Sequence, residues 1–231
     1  MYKGKIINPE QVYSNYLNRD VKLGIYFQDN TVKSDVLICL DGQDFQQMGQ
    51  IHRQFEALYQ NEQIRHAIIV FVHYPNVDMR KREYHPESEF QSQMINFVIH
   101  ELLPFIDENF NTIQSPNHRL VLGDSLAASI ALDITLHHSN MINQACLFSP
   151  MIVAKYFTQF NQQDYYIIVG EDEFDFKLMS GESADFLTPI QDFHEHLNTL
   201  GVHHYYSEKT GSHTWKVWKP QIEHVLQYFL S

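Results

Sequence analysis

Residues 119–137, RLVLGDSLAASIALDITLH, constrain the fold more than any other part of the chain. Leu120, Val121 and Leu122 read as a short buried strand, and Gly123 ends the run. Ser125 follows, and from Leu126 onward the residues suit a helix. Ala127, Ala128, Ile130, Ala131, Leu132 and Ile134 leave that helix almost no polar face, which predicts that it is buried. A strand that turns directly into a buried helix, with a serine at the corner, is the layout of a nucleophile elbow. The tight corner pushes the hydroxyl out of the sheet and aims the helix N-terminus at charge forming beside it. The usual pattern is G-x-S-x-G. Here it reads Gly123-Asp124-Ser125-Leu126-Ala127, with alanine, the smallest departure, in the last place. Serine is also a favoured N-cap, so these five residues fit a plain helix start as well.

The rest of the chain alternates strand and helix. Residues 21–27 (VKLGIYF) read as an early strand, and 36–40 (VLICL) and 67–72 (AIIVFV) as strands buried on both faces. Further strands are expected at 145–148, 165–169 and 203–207. Helices are expected at 51–59, at 87–103 with Pro104 beginning a new turn, at 190–200 with Gly201 as C-cap, and at 220–230. Residues 73–86 read as a polar loop containing Arg80-Lys81-Arg82-Glu83-Tyr84. This alternation predicts a mainly parallel sheet with helices on both faces, built as one α/β domain over residues 1–231. Such sheets put their sites at the carboxyl ends of the strands.

Composition narrows the function. Sixteen basic against 28 acidic residues give a net charge of −12, which argues against nucleic acid and anionic membrane surfaces as partners. No stretch reaches the ~20 apolar residues of a membrane span. The opening residues MYKGKIINPE have no apolar signal core, so a cytoplasmic protein is expected. Cys39 and Cys146 lie in apolar runs and read as reduced core residues. The spacings of His137-His138, His194-Glu195-His196 and His203-His204 fit no familiar zinc pattern, so neither a metal nor a cofactor is expected.

Three polar loops fall at strand ends. In Asp41-Gly42-Gln43-Asp44, the N–H of Gln43 is well placed to form an oxyanion hole with the N–H of Leu126. Asp-Gly is also a common turn. Gly170-Glu171-Asp172-Glu173-Phe174-Asp175 offers an acid to orient a histidine. Glu173 is the first choice, because Gly-x-x-acid gives the chain one turn before the carboxylate is presented; Asp172 and Asp175 stay open. In Gly211-Ser212-His213-Thr214-Trp215, His213 lies between the last strand and the last helix, where a general base belongs. The order Ser125, Glu173, His213 is the α/β-hydrolase order of nucleophile, acid and base.

Taken in order, these pieces resemble the putative-esterase (esterase D-like) branch of the α/β-hydrolases, and within it the enterochelin-esterase-type enzymes. The resemblance rests on VLICLDGQDF, Arg80-x-x-Glu83-Tyr84, the helix leading to LLPFIDENF, Arg119-LVLGDSLA, and Gly211-x-His213-x-Trp215-x-x-Trp218. It implies an α/β-hydrolase fold and carboxylester hydrolysis, with Ser125 as nucleophile, His213 as base, and Gln43 and Leu126 lining the oxyanion hole. The partner expected is a small-molecule ester. An acyltransferase on the same residues, or a binding module that kept the fold, are the alternatives. The segments 73–86 and 151–163 are candidates for a lid.

Overall fold

The computed structural model describes residues 4–178 and 181–231; Met1–Lys3, part of the segment read as lacking a signal core, lie outside them. In chain order the strands are β1 (Lys5–Ser14), β2 (Arg19–Phe27), β3 (Asp35–Leu40), β4 (Ala67–Val72), β5 (Arg119–Asp124), β6 (Gln144–Phe148), β7 (Asp164–Gly170), β8 (Phe176–Lys177), β9 (Ser183–Ala184) and β10 (His203–Lys209). Eight of them form one sheet in the order β1-β2-β4-β3-β5-β6-β7-β10, while β8 and β9 make a separate ribbon. From β4 to β10 every neighbouring pair is parallel; β1 and β2 add an antiparallel edge. β10 is the opposite edge and pairs only with β7.

Alternation along each central strand splits the core into two layers. Val36, Ile38 and Leu40 of β3 join one buried cluster, while Leu37 and Cys39 join the other. The helices are α1 (Gly42–Asp44), α2 (Ile51–Gln60), α3 (Val77–Tyr84), α4 (Gln91–Phe97), α5 (Leu103–Asn109), α6 (Leu126–His137), α7 (Leu187–Leu200), α8 (Trp215–Trp218) and α9 (Ile222–Leu230). α4 to α7 cover the first layer; α2 and α9 cover the second. Cys39 and Cys146 are free and buried in that second layer. No helix among the described residues is long and apolar enough to cross a membrane.

Three departures from the sequence reading have physical causes. β1 was not expected: its register against β2 shifts between Ile7 and Glu10, which breaks the alternation that marks a strand. Residues 73–86 are not a loop throughout, because Asn76 caps α3 by accepting the Met79 N–H at 2.9 Å. α3 has almost no apolar periodicity, so only its cap and its straight-chain residues signal it. The helix expected over 87–103 starts later, at Gln91, and passes through a π-helical turn, Val98–Leu102, into α5. That wider turn comes directly before Pro104, whose ring and missing N–H disrupt a regular helix.

β5 meets α6 closely. A Cβ added at Gly123 would lie 2.2 Å from the backbone carbonyl of Ala127. Gly123→Ala is therefore expected to destabilise the fold by about 1–3 kcal/mol through overpacking. The check is a urea titration, and an unchanged midpoint at unchanged slope contradicts the account.

Candidate active site

Ser125 occupies the corner between β5 and α6 at φ 54° and ψ −123°, a region that a residue with a Cβ enters at a cost of about 1–3 kcal/mol. Two things hold it there. Its N–H donates to the Phe148 carbonyl at 2.8 Å, and its carbonyl accepts from Ala128 and Ser129 at 3.0 and 3.2 Å. Ala127, in the place of the last glycine, is fully buried without displacing the corner. Ser125 and Leu126 are half-buried, and among the described residues Ser125 Oγ has no hydrogen-bond partner.

At the end of β3, Asp41 takes a left-handed conformation at φ 56° and starts α1. Gly42 lies against β4; a Cβ there would come within 2.5 Å of Phe71 and Val72 backbone atoms. The Gln43 side chain spans to Tyr74, donating to its carbonyl and accepting its N–H, both at 3.2 Å. The main-chain N–H groups of Gln43 and Leu126 are first-turn amides of α1 and α6. Such amides have no acceptor within their own helix, and neither enters a turn or cap hydrogen bond.

The acid loop after β7 turns through a 3-10 segment, Glu173–Asp175. Of the acids weighed there, Glu173 is the one that meets His213: Nδ1 lies 2.7 Å from Glu173 Oε2. Asp172 and Asp175 are exposed, Asp175 pairing with Lys177 at 3.4 Å. Glu173 is fully buried, and its other oxygen accepts from the Gly170 N–H and the Ser149 hydroxyl, each at 2.7 Å. Ser149 in turn accepts from the Trp218 indole N–H at 3.0 Å. An indole N–H only donates, so the serine hydroxyl points its proton at Glu173. With carboxylate Oε2 accepting from Nδ1–H, Nε2 of a neutral His213 is the bare, basic nitrogen.

His213 is walled by aromatic rings. Phe186, Phe176 and Trp218 have centroids 4.4, 4.9 and 5.0 Å from it, and its side chain is 9% exposed. Phe176 belongs to the β8–β9 ribbon, which the sequence reading did not anticipate. Sequence reasoning also missed Ser149. The signal was available, since Ser149 directly follows β6 and strand carboxyl ends carry such sites.

Both segments suggested as a lid carry structure of their own. Part of 73–86 is α3. In 151–163, Tyr156 is buried and donates to Asp133 at 2.7 Å, and Lys155 reaches Asp133 at 2.8 Å and the Pro86 carbonyl at 2.7 Å. Among the described residues, no group of three or more His, Cys, Asp or Glu side chains forms a metal-binding cluster. His194 and His204 do meet, Nδ1 to Nε2, at 2.8 Å across α7 and β10.

The chain and its fold have counterparts. An uncharacterised protein of Bacillus subtilis (strain 168), YjcH, is 30% identical over 237 residues, covering 99% of each chain. A ferulic acid esterase superposes with a TM-score of 0.80 over 100% of this chain and 98% of its own, at 16% identity. The enterobactin esterase of Shigella flexneri gives 0.80 at 15% identity, this chain covering 59% of it. The BES protein of Bacillus cereus gives 0.74 at 17%, over 99% and 95%. At those identities the solved structures speak for the fold. The profile of the putative-esterase family matches residues 14–229. With a match across nearly its whole length, the chain belongs to the putative-esterase family, on the α/β-hydrolase fold.

Proposed function

We propose that this protein is a serine carboxylesterase, acting through Ser125, His213 and Glu173 on a small-molecule ester, with residues 1–231 working as one domain. Family membership supports ester hydrolysis. The observation that carries the finer reading is the 2.7 Å hydrogen bond between buried Glu173 and His213 Nδ1, which leaves Nε2 as the base. Ser125 Oγ attacks the ester carbonyl carbon as its proton passes to Nε2. The carbonyl oxygen becomes an oxyanion and takes the N–H groups of Gln43 and Leu126. Collapse expels the alcohol, which leaves with the proton from Nε2. Water then adds to the acyl-enzyme, gives a proton to Nε2, and the acid departs as Ser125 regains its hydrogen. Glu173 stabilises the imidazolium in both halves. Phe176 and Phe186 keep that ion pair partly out of water, where charge stabilisation is stronger.

A fluorophosphonate probe is expected to label Ser125, and Ser125→Ala to lower turnover of a short p-nitrophenyl ester by about 10⁶-fold. Labelling at another residue, or hydrolysis that survives the substitution, sinks the reading. The acid makes a separate test. Glu173→Gln offers His213 an amide in place of a carboxylate and is expected to lower turnover by about 10⁴-fold. Asp172→Asn and Asp175→Asn remove exposed charges and are expected to change it less than about 3-fold, surface substitutions away from such contacts being close to neutral. Equal effects from all three would point to a different acid.

A further inference from the structure

The motif Arg80-x-x-Glu83-Tyr84 has no part in the steps above, yet all three side chains are committed. Glu83 is buried and takes a two-pronged hydrogen bond from Arg19 of β2, at 3.1 and 2.6 Å. That pair fixes α3 against the sheet. Tyr84 is buried beside Asp41. Arg80 Nε donates to Asp41 Oδ2 at 2.7 Å, and Nη2 reaches the same oxygen. Nη2 also lies 3.3 Å from the main-chain carbonyl of Asp124. The guanidinium lies over the Tyr74 ring at 5.7 Å, and Tyr74 is the residue clamped by the Gln43 side chain.

The two partners of Arg80 stand at significant places in the chain. Asp41 is two residues before Gln43. Asp124 is two residues before Leu126. One guanidinium therefore bonds to both corners that carry the proposed oxyanion amides. The corners belong to β3 and β5, neighbours in the sheet, but beyond the last ladder bond the sheet no longer fixes their separation.

We propose that Arg80 is a positioning residue, which sets the spacing of the Gln43 and Leu126 amides by tying the Asp41 carboxylate to the Asp124 carbonyl. The proposal rests on the serine-esterase reading given above.

The charges around Arg80 fit this role. Asp41 and Asp124 are both buried, and the Oδ1 of each has no partner in the structure. Burial pushes both carboxyls up, Asp124 well above the usual range with the charge of Asp41 adding to the effect; Arg80 pulls both back. One cation thus serves two buried acids. The state with least buried charge keeps Asp41 ionised on Arg80 and Asp124 protonated. A neutral residue at position 80 would leave Asp41 as a buried, uncompensated charge, and it would take up a proton and release the corner. Lysine would keep the charge. Its single ammonium lacks the planar fork that holds a carboxylate and a carbonyl together.

The test compares wild type, Arg80→Gln and Arg80→Lys as full chains. It uses hydrolysis of p-nitrophenyl acetate and binding of phenylboronic acid, whose tetrahedral serine adduct fills an oxyanion hole. For Arg80→Gln, kcat is expected to fall by about 10- to 100-fold with KM within about 3-fold, since an oxyanion donor is worth about 10²–10³ and is here displaced, not deleted. Boronate affinity should fall by the same factor. Arg80→Lys should lie between the two. A purely structural role would lower the melting temperature and leave kcat and boronate affinity unmoved well below it, and that result overturns the proposal. Should Arg80→Gln fail to fold, Arg80→Lys decides: wild-type kcat and boronate affinity in the folded lysine variant overturn it equally. Wild type that neither hydrolyses the ester nor takes a fluorophosphonate at Ser125 removes the esterase reading instead, so the two failures are distinct.

Discussion

Parallel pairing from β4 through β10 is the constraint on which the rest depends. Parallel strands all end on one side of the sheet, so loops far apart in sequence emerge together. β3 delivers Gln43, β5 delivers Ser125, β6 delivers Ser149, β7 delivers Glu173 and β10 delivers His213. Parallel strands also need crossover connections, here mostly helical, which bury both faces. The continuous apolar strands β3, β4 and β5 and the nearly all-apolar α6 follow from that burial.

At the carboxyl ends, polar groups are buried and must be satisfied. Glu173 shows how thoroughly. Its two oxygens take three donors from three segments, and Trp218 supplies a fourth hydrogen bond behind Ser149. A carboxylate held in this way cannot rotate without stranding a donor, so the ring of His213 is fixed in part by the packing of Trp218 in the helix that follows it. Gly170 keeps the loops close: a Cβ there would lie 2.4 Å from the Gly211 carbonyl.

Much of this was legible in the sequence. The strand β4 matches its expected residues, and the corner at Ser125, the C-cap at Gly201 and the alternating architecture follow from apolar runs and glycines. Of the residues expected to form the site, Glu173 and His213 are in direct contact, and Gln43 and Ser125 follow the ends of β3 and β5. Other features left no periodic trace. β1 shifts register partway along, α3 is polar on nearly every face, and β8–β9 is a ribbon of two-residue strands. Arg80 and Ser149 could be noticed as residues but not assigned partners, because hydrogen bonds across 39 and 24 residues of chain are set by tertiary structure and not by local pattern.

β10 lies at the rim of the sheet, and His213 hangs beyond its end. The corners at Gln43 and Ser125, by contrast, grow from β3 and β5 in the middle. Proteins open piecemeal, and a rim strand with one neighbour separates at a lower free energy than a central strand with two. On the proposed reading, His213 can therefore leave the site while the corner that carries Ser125 stays folded. On that reading, loss of the site and loss of the core would be two separate events for this architecture.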